Sequence, residues 1–157
     1  MIFAEGKVGR VFVIRLEDGD ELPSCIEQFA QEHKISAGQA ILVGGIRSGN
    51  VVVGPRENTR MPPDPMFLPI DGVHEVIGIG ILAPDKSGKP SFHIHAALGR
   101  AGKTTTGCLR MGVKTWLVGE VVLYEILDAD VSRLPDEQSG FELLMPKPEK
   151  KRSEQRR

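Results

Sequence analysis

The chain has 157 residues, 40% of them hydrophobic, and sets 20 basic against 21 acidic side chains. That length is enough to bury one core without disulfide staples, and a formal charge of −1 argues against a whole-surface electrostatic partner such as nucleic acid. The opening MIFAEGKVGRVFVI breaks its apolar residues with charges too early for a signal peptide or a membrane span. This sets the expectation of a cytoplasmic protein with no membrane contact, in which Cys25 and Cys108 are reduced and unpaired.

In chain order, GKVGRVFVIR is rich in β-branched and aromatic residues and predicts a first strand over about Arg10 to Leu16. The turn EDGDELP follows, with Asp20 as the expected N-cap of an amphipathic helix from Leu22 to His33. Leu22, Ile26, Phe29 and Ala30 share one face of that helix. Cys25 falls on or beside this face and reads as a small buried hydrophobe, while His33 near the C-terminus complements the helix dipole or sits in solvent. After a loop at Ile35 to Gly38, QAILVGGIRSG and NVVVG read as two strands or one bent strand, with Gly44-Gly45 marking a bulge or a close backbone approach. PRENTRMPPDPMFLP, from Pro55 to Pro69, is too rich in proline for a central strand and predicts an exposed connection or an edge segment.

The second half is strand-like throughout. HEVIGIGILA, SFHIHAALG, TTTGCLRMGV and TWLVGEVVLYEIL are separated by APDKSGKP, by the GRAGK turn and by a short join at Val113-Lys114. Such short connections imply antiparallel pairing. The expected architecture is α+β: a mostly antiparallel sheet of six or seven strands flanked by one long helix, forming one domain over residues 1–146. From Lys147 the run KPEKKRSEQRR carries six Lys or Arg against two Glu and reads as a basic, solvated, disordered tail.

Two of the four histidines, His93 and His95, stand one residue apart in the apolar run SFHIHAALG. Strand alternation puts both rings on one face and Ile94 and Ala96 on the other. At ~3.3 Å rise per residue their β-carbons are about 6.5 to 7 Å apart, near enough for both rings to tilt onto one ion. If Leu98 pairs with Thr105 around the Arg100 to Lys103 turn, the same register sets His95 directly opposite Cys108. A slip of one residue would send Cys108 to the other face. Two imidazoles and a thiolate suit Zn²⁺ best, Fe or Cu less well, and Mg or Ca poorly. The alternative reading of the same residues is a pair of core-lining or interface histidines hydrogen-bonded to their neighbours.

Taken together these segments resemble the PPC ("plants and prokaryotes conserved") domain family, which in plants is joined to AT-hook DNA-binding motifs. FVIRLEDGDEL, IEQFAQEHKI and SAGQAILVGGI resemble the family's opening strand, helix and glycine-containing strand. HEVIGIGIL resembles its Glu-Ile-Leu-Ser-Leu strand, and HIHAALGRAGKTTTGCL resembles its His-Leu-His strand, turn and Gly-Gly-His-Leu strand. GEVVLYEI resembles the closing Ala-Glu-Val-Val strand. The resemblance implies a sheet flanked by helix, a homotrimer, and a metal cluster that falls here on His93, His95 and Cys108. The chain departs from the pattern at the third position, where Cys replaces His, and Cys is itself a zinc ligand. A fourth position is left to water, to His74 or to a neighbouring subunit. Glu75 and Glu120 match the family's Glu-Ile and Ala-Glu-Val positions, where each reads as a strand-end or interface carboxylate.

Three functions follow from this pattern. One is a zinc-containing trimeric module that acts on DNA or a protein partner, although the AT-hook core Arg-Gly-Arg-Pro is absent and aromatic residues make up only 5% of the chain. Another is a hydrolase-type enzyme in which the metal activates a water and Glu75, Glu120 or His74 acts as base. The third is a structural ion that ties the hairpin or the trimer together.

Overall fold

The structure is a computed structural model that describes residues 1–110 and 112–147. The basic run that follows Lys147, expected to be a disordered tail, lies outside the described residues. The elements in chain order are β1 (Lys7–Leu16), β2 (Glu21–Leu22), α1 (Ser24–Glu32), β3 (Gly38–Ser48), β4 (Asn50–Pro55), β5 (Pro65–Pro69), β6 (His74–Pro84), β7 (Pro90–Arg100), β8 (Lys103–Leu109), β9 (Val113–Leu127), β10 (Val131–Pro135) and β11 (Glu142–Pro146). Nine strands make one sheet, in the order β1-β9-β3-β6-β7-β8-β4-β5 with β2 pairing on β9, while β10 and β11 form a separate two-stranded sheet. Every pair between β6, β7 and β8 is antiparallel, as the short joins require.

The expectation of six or seven strands is too low. β2 has only two residues, β5 lies between prolines at the sheet edge, and VSRLP and ELLMP are too short and too interrupted to show a period. The expected long helix is also corrected, since α1 has nine residues. Its start is displaced because Leu22 is held in β2 against Val113, so the helix begins after Pro23 with no side-chain cap. Asp20 turns instead toward the preceding loop, where its Oδ2 accepts the Glu17 N–H at 2.8 Å. The far end closes on Lys34, in the left-handed region at φ 56°. There Ile35 N–H donates to the Ala30 carbonyl at 2.8 Å and Lys34 N–H to Gln31 at 3.2 Å, a Schellman closure made without the usual glycine.

One face of the sheet is the core. Leu42 of β3, Leu123 of β9, Val76 and Leu82 of β6, and Phe92, Ile94 and Leu98 of β7 bury together beneath Ile26 and Ala30 of the helix. Beside them Glu125, 5% exposed, takes Arg10 Nε at 2.7 Å and Nη2 at 2.8 Å, and this guanidinium holds its carboxyl below the usual carboxylate range. Gly78 and Gly80 occupy core-facing positions of β6, and a β-carbon at Gly80 would clash with the edge of the Phe92 ring.

The opposite face is apolar and, away from the β10–β11 hairpin that packs over its Ile81 end, open. Ile77 and Ile79 are 59% and 54% exposed, and Val11, Val13, Ile41 and Val43 are exposed with them. Ile41, Ile79, His95, Cys108 and Val52 lie side by side across five strands on this face. Alternation thus sorts apolar residues onto both surfaces of the sheet, only one of which the helix covers.

Gly80→Ala should destabilise the fold by about 1–3 kcal/mol, because Phe92 must leave its rotamer to admit the methyl group. Urea unfolding checks this as a lower midpoint at unchanged slope.

Candidate metal centre

The β7–β8 connection is a two-residue turn in which Ala101 and Gly102 both have positive φ, 50° and 76°. Both central residues of a type I′ hairpin turn take this conformation, which matches the right-handed twist of the flanking strands. Pairing Arg100 with Lys103 fixes Leu98 opposite Thr105 and His95 opposite Cys108. The register read from the sequence is the one observed.

On the open face the three candidate ligands converge, their ligand atoms all within 4.8 Å of one another. The two imidazoles meet edge to face, ring centroids 4.9 Å apart at 83°, with Nε2 to Nε2 at 3.2 Å. Two nitrogens bound to one tetrahedral ion at ~2.05 Å stand about 3.3 Å apart, so the rings are already spaced for chelation. The same separation suits an N–H···N hydrogen bond between two neutral rings. Cys108 is 7% exposed, and its Sγ lies 3.7 Å from the Leu109 carbonyl oxygen. A tetrahedral N–ion–S arrangement spans about 3.6 Å, so a small side-chain adjustment brings the sulfur to bonding distance.

The electrostatics favour the neutral form of the His93 imidazole over its cation. Burial, and then the charges of Arg133, His95 and Arg110, push the His93 pKa below its usual value. Burial raises the Cys108 thiol, opposed by Arg110 and Arg133. Metal ligation needs the thiolate, so an ion at this point must displace the thiol proton. The donor set therefore fits a borderline-soft divalent ion, which His93, His95 and Cys108 would hold with one position left open.

The other residues singled out in the sequence stand elsewhere. His74 pairs with Ile46 and places its Nδ1 2.9 Å from the Gly72 carbonyl oxygen. Glu75 stands opposite Gly99, four residues along β6 from Ile79 and therefore about 13 Å from the level of His95. Glu120 faces Arg15 and Val43, three strands away from β7. Among the described residues the cluster contains no carboxylate. Cys25 is half-buried, with its thiol pushed up to about 11 by desolvation and then by Asp20, in keeping with an inert packing residue.

Sequence reading missed Arg133 altogether. It is 6% exposed, and its Nη2 donates to the Ile81 carbonyl at 2.9 Å, directly beside His93, the cross-strand partner of Ile81. One arginine in the short run VSRLP carries no periodic signal, and only the folding of β10 over β6 brings it here.

Comparison with known proteins agrees with this fold. A metal-containing protein of Archaeoglobus fulgidus superposes with a TM-score of 0.80 at 27% identity, over 92% of this chain and 99% of that one. A plant- and prokaryote-conserved (PPC) protein of Pyrococcus horikoshii gives 0.76 at 22% identity, over 92% and 99%. A protein of Ralstonia eutropha JMP134, described as a candidate DNA-binding protein, gives 0.64 at 19% over 85% and 89%. The bifunctional protein GlmU of a Synechococcus strain is 27% identical over 135 residues, which is 84% of this chain but only 20% of that protein's length. Residues 3–127, from ahead of β1 to the end of β9, match the family model for the Plants and Prokaryotes Conserved domain, and the chain belongs to that PCC (or PPC) domain family.

Proposed function

We propose that residues 1–146 act as one PCC-like, metal-binding regulatory module in which His93, His95 and Cys108 hold a single zinc ion. The observation that carries this reading is the 3.2 Å separation of the two Nε2 atoms on the face that Cys108 shares. Zinc at this point would supply a Lewis-acidic centre with one open position. The chain's own part is to present two imidazoles and one thiol from one hairpin. The metal-containing Archaeoglobus protein, 27% identical, supports the assignment.

The module works as a homotrimer assembled on the open sheet face. Exposed Ile77 and Ile79 flank the histidine row, and apolar surface left contiguous at this scale marks an interaction site. DNA is the proposed partner of the assembly, on the strength of the basic run after Lys147 and of the candidate DNA-binding proteins that share the fold. Among the described residues no helix is long and apolar enough to cross a membrane, and the protein is proposed to act in the cytoplasm. A water-activating hydrolase is the weaker reading, because a general base must lie within hydrogen-bond reach and His74, Glu75 and Glu120 do not enter the cluster.

The purified protein should contain one zinc per chain. Cys108→His should retain it and Cys108→Ala should lose it, as read by elemental analysis. Zinc binding near neutral pH should release about one proton, from the thiol, and Cys108→His should release close to none. Calorimetry in buffers of different ionisation enthalpy measures this difference. If Cys108→Ala keeps full zinc content, the ligand assignment fails.

Light scattering after gel filtration should give a trimer mass, and Ile79→Lys should shift it to monomer while leaving the far-UV spectrum unchanged. A wild-type monomer would contradict the assembly. For the DNA arm, duplex binding should weaken steeply with salt and fall when residues 148–157 are removed. Salt-insensitive or absent binding would remove DNA from the reading.

A further inference from the structure

Two arginines, Arg133 and Arg110, lie near the histidine and cysteine cluster, and among the described residues no carboxylate joins it. Arg133 belongs to β10, whose sheet-facing side is identified by a cavity of about 370 Å³ between hairpin and sheet, lined by Ile81, Val131 and Leu144 among others. Val131 and Leu144 share a face of the hairpin with Arg133, since Leu144 is the cross-strand partner of Arg133 and Val131 is two residues away. The guanidinium is therefore aimed at the sheet, and its Nη2 rests on the Ile81 carbonyl beside His93.

Only part of its hydrogen-bonding capacity is met there. The Nε–H of Arg133 is buried without a partner, and among the described residues no ion pair engages the side chain. Glu142, across the hairpin, opposes the effect of burial on Arg133 without forming such a pair. A buried guanidinium with an unmet donor is costly unless something acidic completes it. Arg110 lies two residues beyond Cys108 and bears on both His93 and Cys108, adding a second cation beside the cluster.

Charge counting gives the ligand class. A divalent ion on two neutral imidazoles and one thiolate carries a net positive charge, and two guanidinium groups add to it. The loaded centre would thus be positive, with the guanidinium of Arg133 beside His93. Guanidinium forks pair with carboxylate and phosphate oxygens two at a time.

We infer that the open side of the His93–His95–Cys108 centre is an oxyanion-binding site, taking a carboxylate or phosphoryl group whose oxygen faces the metal and whose charge is matched by Arg133. This rests on the metal reading above and adds to it the ligand class and the residue that selects it. Arg133 is a recognition residue here and Arg110 a source of long-range attraction.

The test uses the full chain loaded with Co²⁺, whose visible spectrum reports its coordination, with inorganic phosphate and acetate as probes and cobalt content measured in every sample. Saturable spectral change by either anion, weakened about tenfold or more in Arg133→Met, supports the site. The stronger probe identifies the group as phosphoryl or carboxylate. Should Arg133→Met fail to fold by circular dichroism, Arg133→Lys, which keeps the charge and loses the fork, should bind more weakly than wild type. Cobalt bound at one per chain with no anion response, or with a response indifferent to both Arg133 variants, overturns the oxyanion site and leaves the metal centre standing. Failure to take up cobalt overturns both.

Discussion

The site depends on the register of one hairpin. A two-residue turn at Ala101 and Gly102 forces both residues to positive φ, and Ala accepts that conformation at a cost of about 1–2 kcal/mol. In return the pairing of β7 with β8 has no slack, because the open face can gather two histidines and a cysteine in only one register. One residue of slippage would turn Cys108 into the core and put Gly107 beside the imidazoles. The neighbouring ladders reinforce this register: Ile79 stands opposite His95 on one side and Val52 opposite Cys108 on the other. The geometry of a candidate metal site is thus set mainly by backbone hydrogen bonds and turn chemistry.

That is also why so much of the centre was legible beforehand. His-x-His gives a shared face from the two-residue period alone, and a short glycine-containing turn narrows the cross-strand register to a few choices. The long, alternating strands β3, β6, β7 and β9 were readable for the same reason. What escaped was whatever depends on partners distant in sequence. β2 is a strand only because Lys114 and Val113 lie beside it. The helix begins late because that pairing holds Leu22, a constraint that helical periodicity does not register. Arg133 reaches the cluster through the packing of β10 on β6, and no local pattern announces it.

The sheet is apolar on both faces, and this links site to assembly. Sequences of the type HEVIGIGIL suit a strand covered on both sides, yet α1 covers only one. The part of the other face that the β10–β11 hairpin leaves open carries the exposed isoleucines and the candidate ligand set together, so burial of that surface by further copies would also enclose the centre. Enclosure would lower the local dielectric around Arg133, Arg110 and the ion, and so strengthen their hold on an anionic ligand. The proposed assembly, metal and ligand would then be three consequences of one exposed surface.

The central claim is that a sulfur and two imidazole nitrogens share one ion. X-ray absorption at the zinc edge of the purified, zinc-loaded protein tests it directly. The account predicts one sulfur scatterer at ~2.3 Å together with nitrogen or oxygen scatterers near 2.0–2.1 Å and the outer-shell signature of imidazole. A first shell of nitrogen and oxygen alone, with no sulfur at that distance, would contradict it.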